Sequence, residues 1–115
     1  MKLSVVGSRT FNDYQILKNK LDEINKKTKI TLIISGSAKG ADSLAEKWAN
    51  ENNIETKIYH PDWETYGKKA GIIRNKDIIL NSDRMICFWD NTSKGTLHSI
   101  NLADFHNIPY NIVKF

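Results

Sequence analysis

Ile30-Thr31-Leu32-Ile33-Ile34-Ser35-Gly36-Ser37-Ala38-Lys39-Gly40-Ala41-Asp42 is an apolar run that breaks into a loop of small residues. The run over Ile30 to Ile34 is apolar enough for a β-strand covered on both faces. Beyond the loop, Leu44, Ala45, Trp48 and Ala49 recur at helical spacing over Asp42 to about Asn52. This is one strand–loop–helix unit, and the pattern occurs twice more. Lys2 to Val6 leads through Gly7-Ser8-Arg9-Thr10 into a helix that Asn12 or Asp13 can cap. That helix runs to about Lys26, with Leu17, Leu21 and Ile24 on one face. Arg84 to Trp89 leads through Ser93-Lys94-Gly95-Thr96 into a helix over Thr96 to His106.

The remaining segments complete an alternation. Ile54 to Tyr59 reads as a strand halted by Pro61, Asp62 to Lys69 as a loop, and Ala70 to Asn81 as a helix. Tyr110 to Phe115, after Pro109, reads as a last strand. Strands alternating with helices predict an α/β fold with right-handed crossovers. The expected architecture is a Rossmann-like, doubly wound sheet of five parallel strands, ordered 3-2-1-4-5, forming one domain over residues 1–115. In such a sheet the small-residue loops share the edge at the carboxyl ends of the strands. Ligands bind there, at the switch point between the first and fourth strands.

Composition narrows the setting. The chain carries 40% hydrophobic and 26% charged residues and a net charge of +4, with no apolar stretch long enough to span a membrane. Met1-Lys2 leads straight into the first strand, so no signal peptide is expected. One cysteine, Cys87, sits within an apolar strand and reads as a buried thiol in a reducing, cytoplasmic compartment. Lys18, Lys20, Lys26, Lys27 and Lys29 fall at the opposite edge of the sheet and read as a solvated face. Arg9, Lys39, Lys68, Lys69, Arg74 and Lys94 fall at or near the loop edge instead. That segregation fits an anionic ligand better than the total charge does, and nucleic acid is not the expected partner.

Glycines in these loops let backbone amides approach a ligand, and helix N-termini favour anions. The loops therefore read as a cradle for a phosphorylated ligand. The second loop is no Walker loop, because Ala41-Asp42-Ser43 stands where Gly-Lys-Ser/Thr would end it. No G-x-G-x-x-G follows a strand, and His60, His98 and His106 are too scattered for a metal site. No cofactor or metal is expected. Arg9 suits a bidentate phosphate contact or a surface ion pair. Arg74, beside Asn75, suits a ligand or a partner such as Glu64 or Asp77. Asp42 is a preferred capping residue as well as a candidate ligand contact. Trp63 stacks a base in one reading and covers the sheet edge in the other.

The segments Val6 to Phe11, Ser35 to Asp42, Lys69 to Asn75 and Ser93 to Thr96 resemble, in order and spacing, the YspA/cpYpsA-related branch of the SLOG superfamily. Ser37 stands where that family often has glycine. The resemblance implies a Rossmann-like domain that binds nucleotides or nucleotide-derived ligands and pairs into a homo-oligomer. SLOG relatives include cytokinin-activating phosphoribohydrolases, the DNA-binding protein DprA and the sensor domain of Thoeris defence proteins. The phosphoribohydrolase motif P-G-G-x-G-T-x-x-E matches Gly95 and Thr96, but Ser99 occupies the position of its glutamate. Serine cannot stabilise an oxocarbenium ion as a carboxylate does, so catalysis is not expected, and no catalytic residue is assigned. The expected ligand contacts are Gly7, Ser8, Arg9, Thr10, Ser35, Gly36, Ser37, Lys39, Gly40, Ala41, Asp42, Trp63, Arg74, Asn75, Ser93, Lys94, Gly95 and Thr96. The expected role is a sensor or sequestering protein for an ADP-ribose-like signal, as in phage–host conflict. The alternative is an enzyme that cleaves the N-glycosidic bond of a nucleoside monophosphate.

Overall fold

The computed structural model describes residues 1–115. Its elements follow in the order β1 (Lys2–Gly7), α1 (Tyr14–Lys27), β2 (Leu32–Gly36), α2 (Ala41–Glu51), β3 (Glu55–Tyr59), α3 (Trp63–Tyr66), α4 (Ala70–Leu80), β4 (Arg84–Trp89), α5 (Lys94–Phe105) and β5 (Tyr110–Lys114). The five strands form one parallel sheet in the order β3-β2-β1-β4-β5, as the alternation predicts.

The pleat sends successive strand residues to opposite faces, and each face buries its own apolar cluster. Leu3 and Val5 of β1, Ile33 of β2 and Ile86 and Phe88 of β4 face α1 and α2. There they meet Leu17, Leu21, Ile24, Ala45, Trp48 and Ala49, while Leu44 packs partly buried at the margin. Val6, Ile34, Met85 and Cys87 face the other way, onto Ile78, Ile79, Ile100 and Ala103 of α4 and α5. Cys87 is fully buried, and burial pushes its thiol up to about 12, which makes it inert packing.

Caps set the helix starts. Asp13 accepts the amide of Ile16 at 3.2 Å and begins α1. Ser93 accepts the amide of Thr96 at 3.3 Å, so α5 begins at Lys94, two residues before the start expected from periodicity. The expected loop over Asp62 to Lys69 is instead helical. Asp62 caps α3 by accepting the amide of Thr65 at 3.1 Å, and a 3-10 turn over Gly67–Lys69 leads into α4. No residue of this segment is buried, so it lacks the apolar stripe by which helices are read. No helix is long and apolar enough to cross a membrane.

Trp48 is wholly buried, and its indole N–H donates to Asp22 of α1 at 2.9 Å. It packs α1 and α2 onto the sheet. Replacing it by alanine should cost about 3–5 kcal/mol of unfolding free energy. Urea titration checks this, and a loss below about 1 kcal/mol would contradict the core position.

Candidate functional site

At the carboxyl edge of the sheet, β1 and β4 part at the register pair Gly7–Phe88. The Ser8 amide still donates to the Phe88 carbonyl at 2.9 Å, and the Asp90 amide donates to the Ser8 hydroxyl at 3.2 Å. From the other side α2 begins close against β1. A Cβ on Gly7 would lie 2.7 Å from the Ala41 methyl and 2.7 Å from the Phe88 carbonyl oxygen. Gly40, at φ +80°, leaves no room for a side chain either, because a Cβ would crowd the Ser8 and Arg9 carbonyls, the latter at 2.9 Å.

Two joined chambers open above these contacts. The inner one, about 420 Å³, is lined by Gly7, Ser8, Arg9, Thr10, Gly36, Asp42, Arg74, Asn75, Ser93, Gly95 and Thr96, together with Val6, Ala38, Ile78, Asp90 and Ser99. The outer one, about 490 Å³, is lined by Arg9, Ser37, Trp63, Arg74, Asn75, Lys94 and Gly95, with Ala38, Pro61, Lys68, Gly71, Ile72 and His98. Arg9, Ala38, Arg74, Asn75 and Gly95 border both, so they form the neck. Trp63 is 57% exposed, its ring edge 3.8 Å from where a Cβ on Gly71 would stand.

Four of the expected contacts line neither chamber. Ser35 lies on the face of β2 opposite Gly36, because the pleat turns adjacent residues apart. Its buried hydroxyl has no hydrogen-bond partner. Lys39 projects from the loop into solvent. Gly40 and Ala41 supply the close packing just described. Asp42 does not cap α2 either. Gly40 holds the cap position without a side-chain bond, and the Asp42 carboxylate in the first turn reaches back to accept the Ala38 amide at 3.3 Å.

Charge in the chambers is arranged rather than neutralised. Asp42 is 6% exposed, and burial pushes its carboxyl up to about 7 against the pull of the Ala38 amide and Arg74. Burial also draws the Arg74 guanidinium below its usual value, an effect Asp42 opposes and Arg9 reinforces. Arg74 nevertheless stays a cation. Its Nε donates to Asn75 Oδ1 at 3.0 Å, and Asn75 Nδ2 stands 3.5 Å from His98 Nδ1. Neither Arg9 nor Arg74 closes an ion pair. The chain's one ion pair, Lys18–Asp22, lies on α1.

Asp90 is the main functional candidate absent from the expected contacts. Its Oδ1 accepts the amides of Thr92 and Ser93, each at 2.9 Å, and these bonds hold the carboxyl down at about 2. Asn91 turns the chain at φ 68° to allow it. An aspartate two and three residues before amides that need an acceptor is an Asx-turn signal in the sequence. Ser99, at the glutamate position of the phosphoribohydrolase motif, is buried, and its hydroxyl donates to the Gly95 carbonyl at 3.3 Å.

The fold and crevice define a Rossmann-like α/β protein with an open crevice at the switch point of its sheet. The chain belongs to YAcAr, the YspA, cpYpsA-related SLOG family, whose profile matches residues 1–66. It is 30% identical to the Gene 61 protein of Mycobacterium phage D29 over a 115-residue alignment covering 94% of this chain and 92% of the phage protein. Among solved structures, the DNA processing protein A of Helicobacter pylori, described for its single-stranded DNA binding mode, superposes with a TM-score of 0.74. At 21% identity over 97% of this chain, that likeness shows a shared fold, and the chain spans 64% of that structure's length.

Two outcomes follow from the site's packing and charge. Gly40→Ala should lose more than about 1 kcal/mol of stability, whereas Gly95→Ala, with open space around its Cβ, should be neutral or gain up to about 1 kcal/mol from helix propensity. Equal melting temperatures for the two variants would contradict the close approach at Gly40. The second outcome concerns pH. Folded Asp42 binds its proton more tightly than the unfolded chain does, so its contribution to stability is greatest below the usual carboxylate range. That contribution is lost as pH rises from about 4 through about 7. The stability of the native chain minus that of Asp42→Asn should therefore decline across this window, by an amount on the order of a few kcal/mol. Chemical denaturation at successive pH values measures the difference, and a flat profile refutes the burial effect.

Proposed function

We propose that residues 1–115 act as one nucleotide-binding domain. It takes a nucleotide or nucleotide-derived, ADP-ribose-like ligand in the switch-point crevice, as a sensor or sequestering protein. The observation that carries this reading is the pair of guanidinia at the neck. Arg9 and Arg74 border both chambers without an ion-pair partner, so they are free to grip phosphate oxygens. Lys94 and Lys68 add charge on the outer side, where exposed Trp63 offers a stacking face for a base. Membership of the SLOG family and the likeness to a mycobacteriophage protein support a nucleotide ligand and a phage–host setting. The family resemblance also supports a homo-oligomer, and the lone buried Cys87 is in keeping with a cytoplasmic setting.

Two other readings enter the same test. Nucleic acid is not the expected partner, but the basic charge is compatible with it, and a fold neighbour described for single-stranded DNA binding makes it a ligand worth testing. Cleavage of an N-glycosidic bond would have to use Asp42 or Asp90, the two carboxylates of the inner chamber, because Ser99 supplies none.

The experiment is to incubate the protein with a mixture of nucleotides, ADP-ribose and cyclic ADP-ribose species, isolate the bound fraction and identify it by mass spectrometry. A ligand recovered intact supports binding, whereas free base in solution makes the protein a hydrolase. Oligothymidylate binding with a steep salt dependence would favour nucleic acid instead. For the small ligand recovered, Arg9→Ala and Arg74→Ala should each weaken binding by about tenfold or more, the loss of one charge-assisted contact. Unchanged affinity in both variants would place the site elsewhere.

A further inference from the structure

Asp42 and Arg74 face the inner chamber from either side of Gly36. A Cβ on Gly36 would stand 3.0 Å from the Asp42 carboxylate and 2.7 Å from Arg74 Nη1, so the two groups share the space a side chain would fill. They share it without closing an ion pair. Arg9 borders the same chamber, and the amides of Arg9, Thr10 and Gly95 that line it have no partner. An anion held by these donors enters the chamber that the buried Asp42 carboxylate also lines.

The charged groups around Asp42 decide how it responds. Arg74 comes from α4 and Arg9 from the turn after β1, while Glu46, one turn further along α2, adds a like charge. Asp90, from the loop after β4, also lines the chamber, but the Thr92 and Ser93 amides hold its carboxyl down at about 2, so it stays ionised. β2 carries no charged side chain. On α1 and β3 the charges lie elsewhere: Lys18 pairs with Asp22, Lys57 lies over the Tyr59 ring, and Glu55 stands at the amino end of its strand. α5 brings Lys94 and His98 to the outer chamber. An anion at the neck therefore occupies the guanidinia that balance Asp42 and adds a negative charge of its own. Both changes favour the protonated carboxyl. Burial already pushes that carboxyl up to about 7, so little more is needed for it to take a proton at neutral pH.

We propose that binding of an anion at the neck is coupled to uptake of a proton from solvent by Asp42, so that the crevice holds its ligand more weakly as pH rises. At low pH Asp42 is already neutral and the anion meets only the guanidinia and free amides. At high pH the ionised carboxylate opposes it. This coupling rests on the nucleotide-binding reading above and adds a regulation of that site.

Calorimetry on the full chain tests it with two diphosphate esters, ADP-ribose and UDP-glucose, whose own charge is constant around neutral pH. Titrations at about pH 7 in buffers of different ionisation enthalpy count the protons exchanged. About half a proton per ligand should be taken up, since roughly half of the free chains already carry it. From about pH 6 to about pH 8 affinity should fall about fivefold or more. Asp42→Asn, neutral at every pH, should abolish both the uptake and the slope, and thermal melting verifies that this variant is folded. His98→Gln should keep both, whatever it does to affinity. Binding without proton uptake by the native chain refutes the coupling while the nucleotide site stands. So does a slope that persists in Asp42→Asn or disappears in His98→Gln. Absence of binding by both esters overturns the nucleotide-binding reading and the coupling with it.

Discussion

Backbone packed against backbone, where β1, β4 and the start of α2 converge, is the constraint on which the crevice depends. Gly7 has the Ala41 methyl on one side and the Phe88 carbonyl on the other, and Gly40 sits over the carbonyls of Ser8 and Arg9. These approaches hold the Gly7–Thr10 turn between two elements before any ligand arrives. Its far end is pinned as well. Phe11 returns to the core, with its ring 4.6 Å from Phe88 and 4.9 Å from Phe115. Arg9 therefore leaves a turn fixed at both ends. A turn fixed in this way loses less freedom on binding than a mobile loop, which leaves more of the contact energy for affinity.

The same geometry explains why charge persists at the floor of the crevice. Gly36 carries no side chain between Asp42 and Arg74. A Cβ there would stand 3.0 Å from the carboxylate and 2.7 Å from the guanidinium. The two groups approach without closing an ion pair, and Arg74 is braced by Asn75, itself beside His98. A closed pair would neutralise both partners and offer a ligand little. Held apart, the guanidinium keeps donors free toward the neck and the carboxyl carries a desolvation cost that lifts its proton affinity. Such local costs gather at sites that serve a ligand rather than the fold.

Much of this was readable from the chain, and the failures have physical causes. The sheet order and both core faces follow from apolar strand residues alternating with helical stripes, so that Ile33 and Ile34 are buried on opposite sides. The neck residues Arg9 and Arg74 could be picked out as cations beside small-residue turns. Ser35 and Lys39 fall with the crevice residues in the sequence because neighbours in a loop are close along the chain. The pleat turns Ser35 under the sheet, and the loop turns Lys39 to solvent. Counting the alternation from Ile34 through Ser35 to Gly36 separates Ser35 from Gly36. The Trp63–Lys69 segment was unreadable for a different reason, since a single capping aspartate, Asp62, makes the helical turn without any buried stripe.

A turn that follows a strand and opens a helix is often taken for a phosphate cradle, but the reading depends on whether its amides are free. Buried backbone donors find partners, and a side chain can supply them as well as a ligand can. At the fourth strand Asp90 does so, taking the amides of Thr92 and Ser93, while the Ser93 hydroxyl takes that of Thr96. The Asp42 carboxylate does the same for Ala38 at the second strand. Those donors are engaged, whereas the amides of Arg9, Thr10 and Gly95 have no partner and stand beside the two guanidinia. The glycines then serve the packing of α2 against β1 as much as the approach of a ligand. Loops that resemble one another in sequence thus do different work, and the acidic side chains beside them decide which.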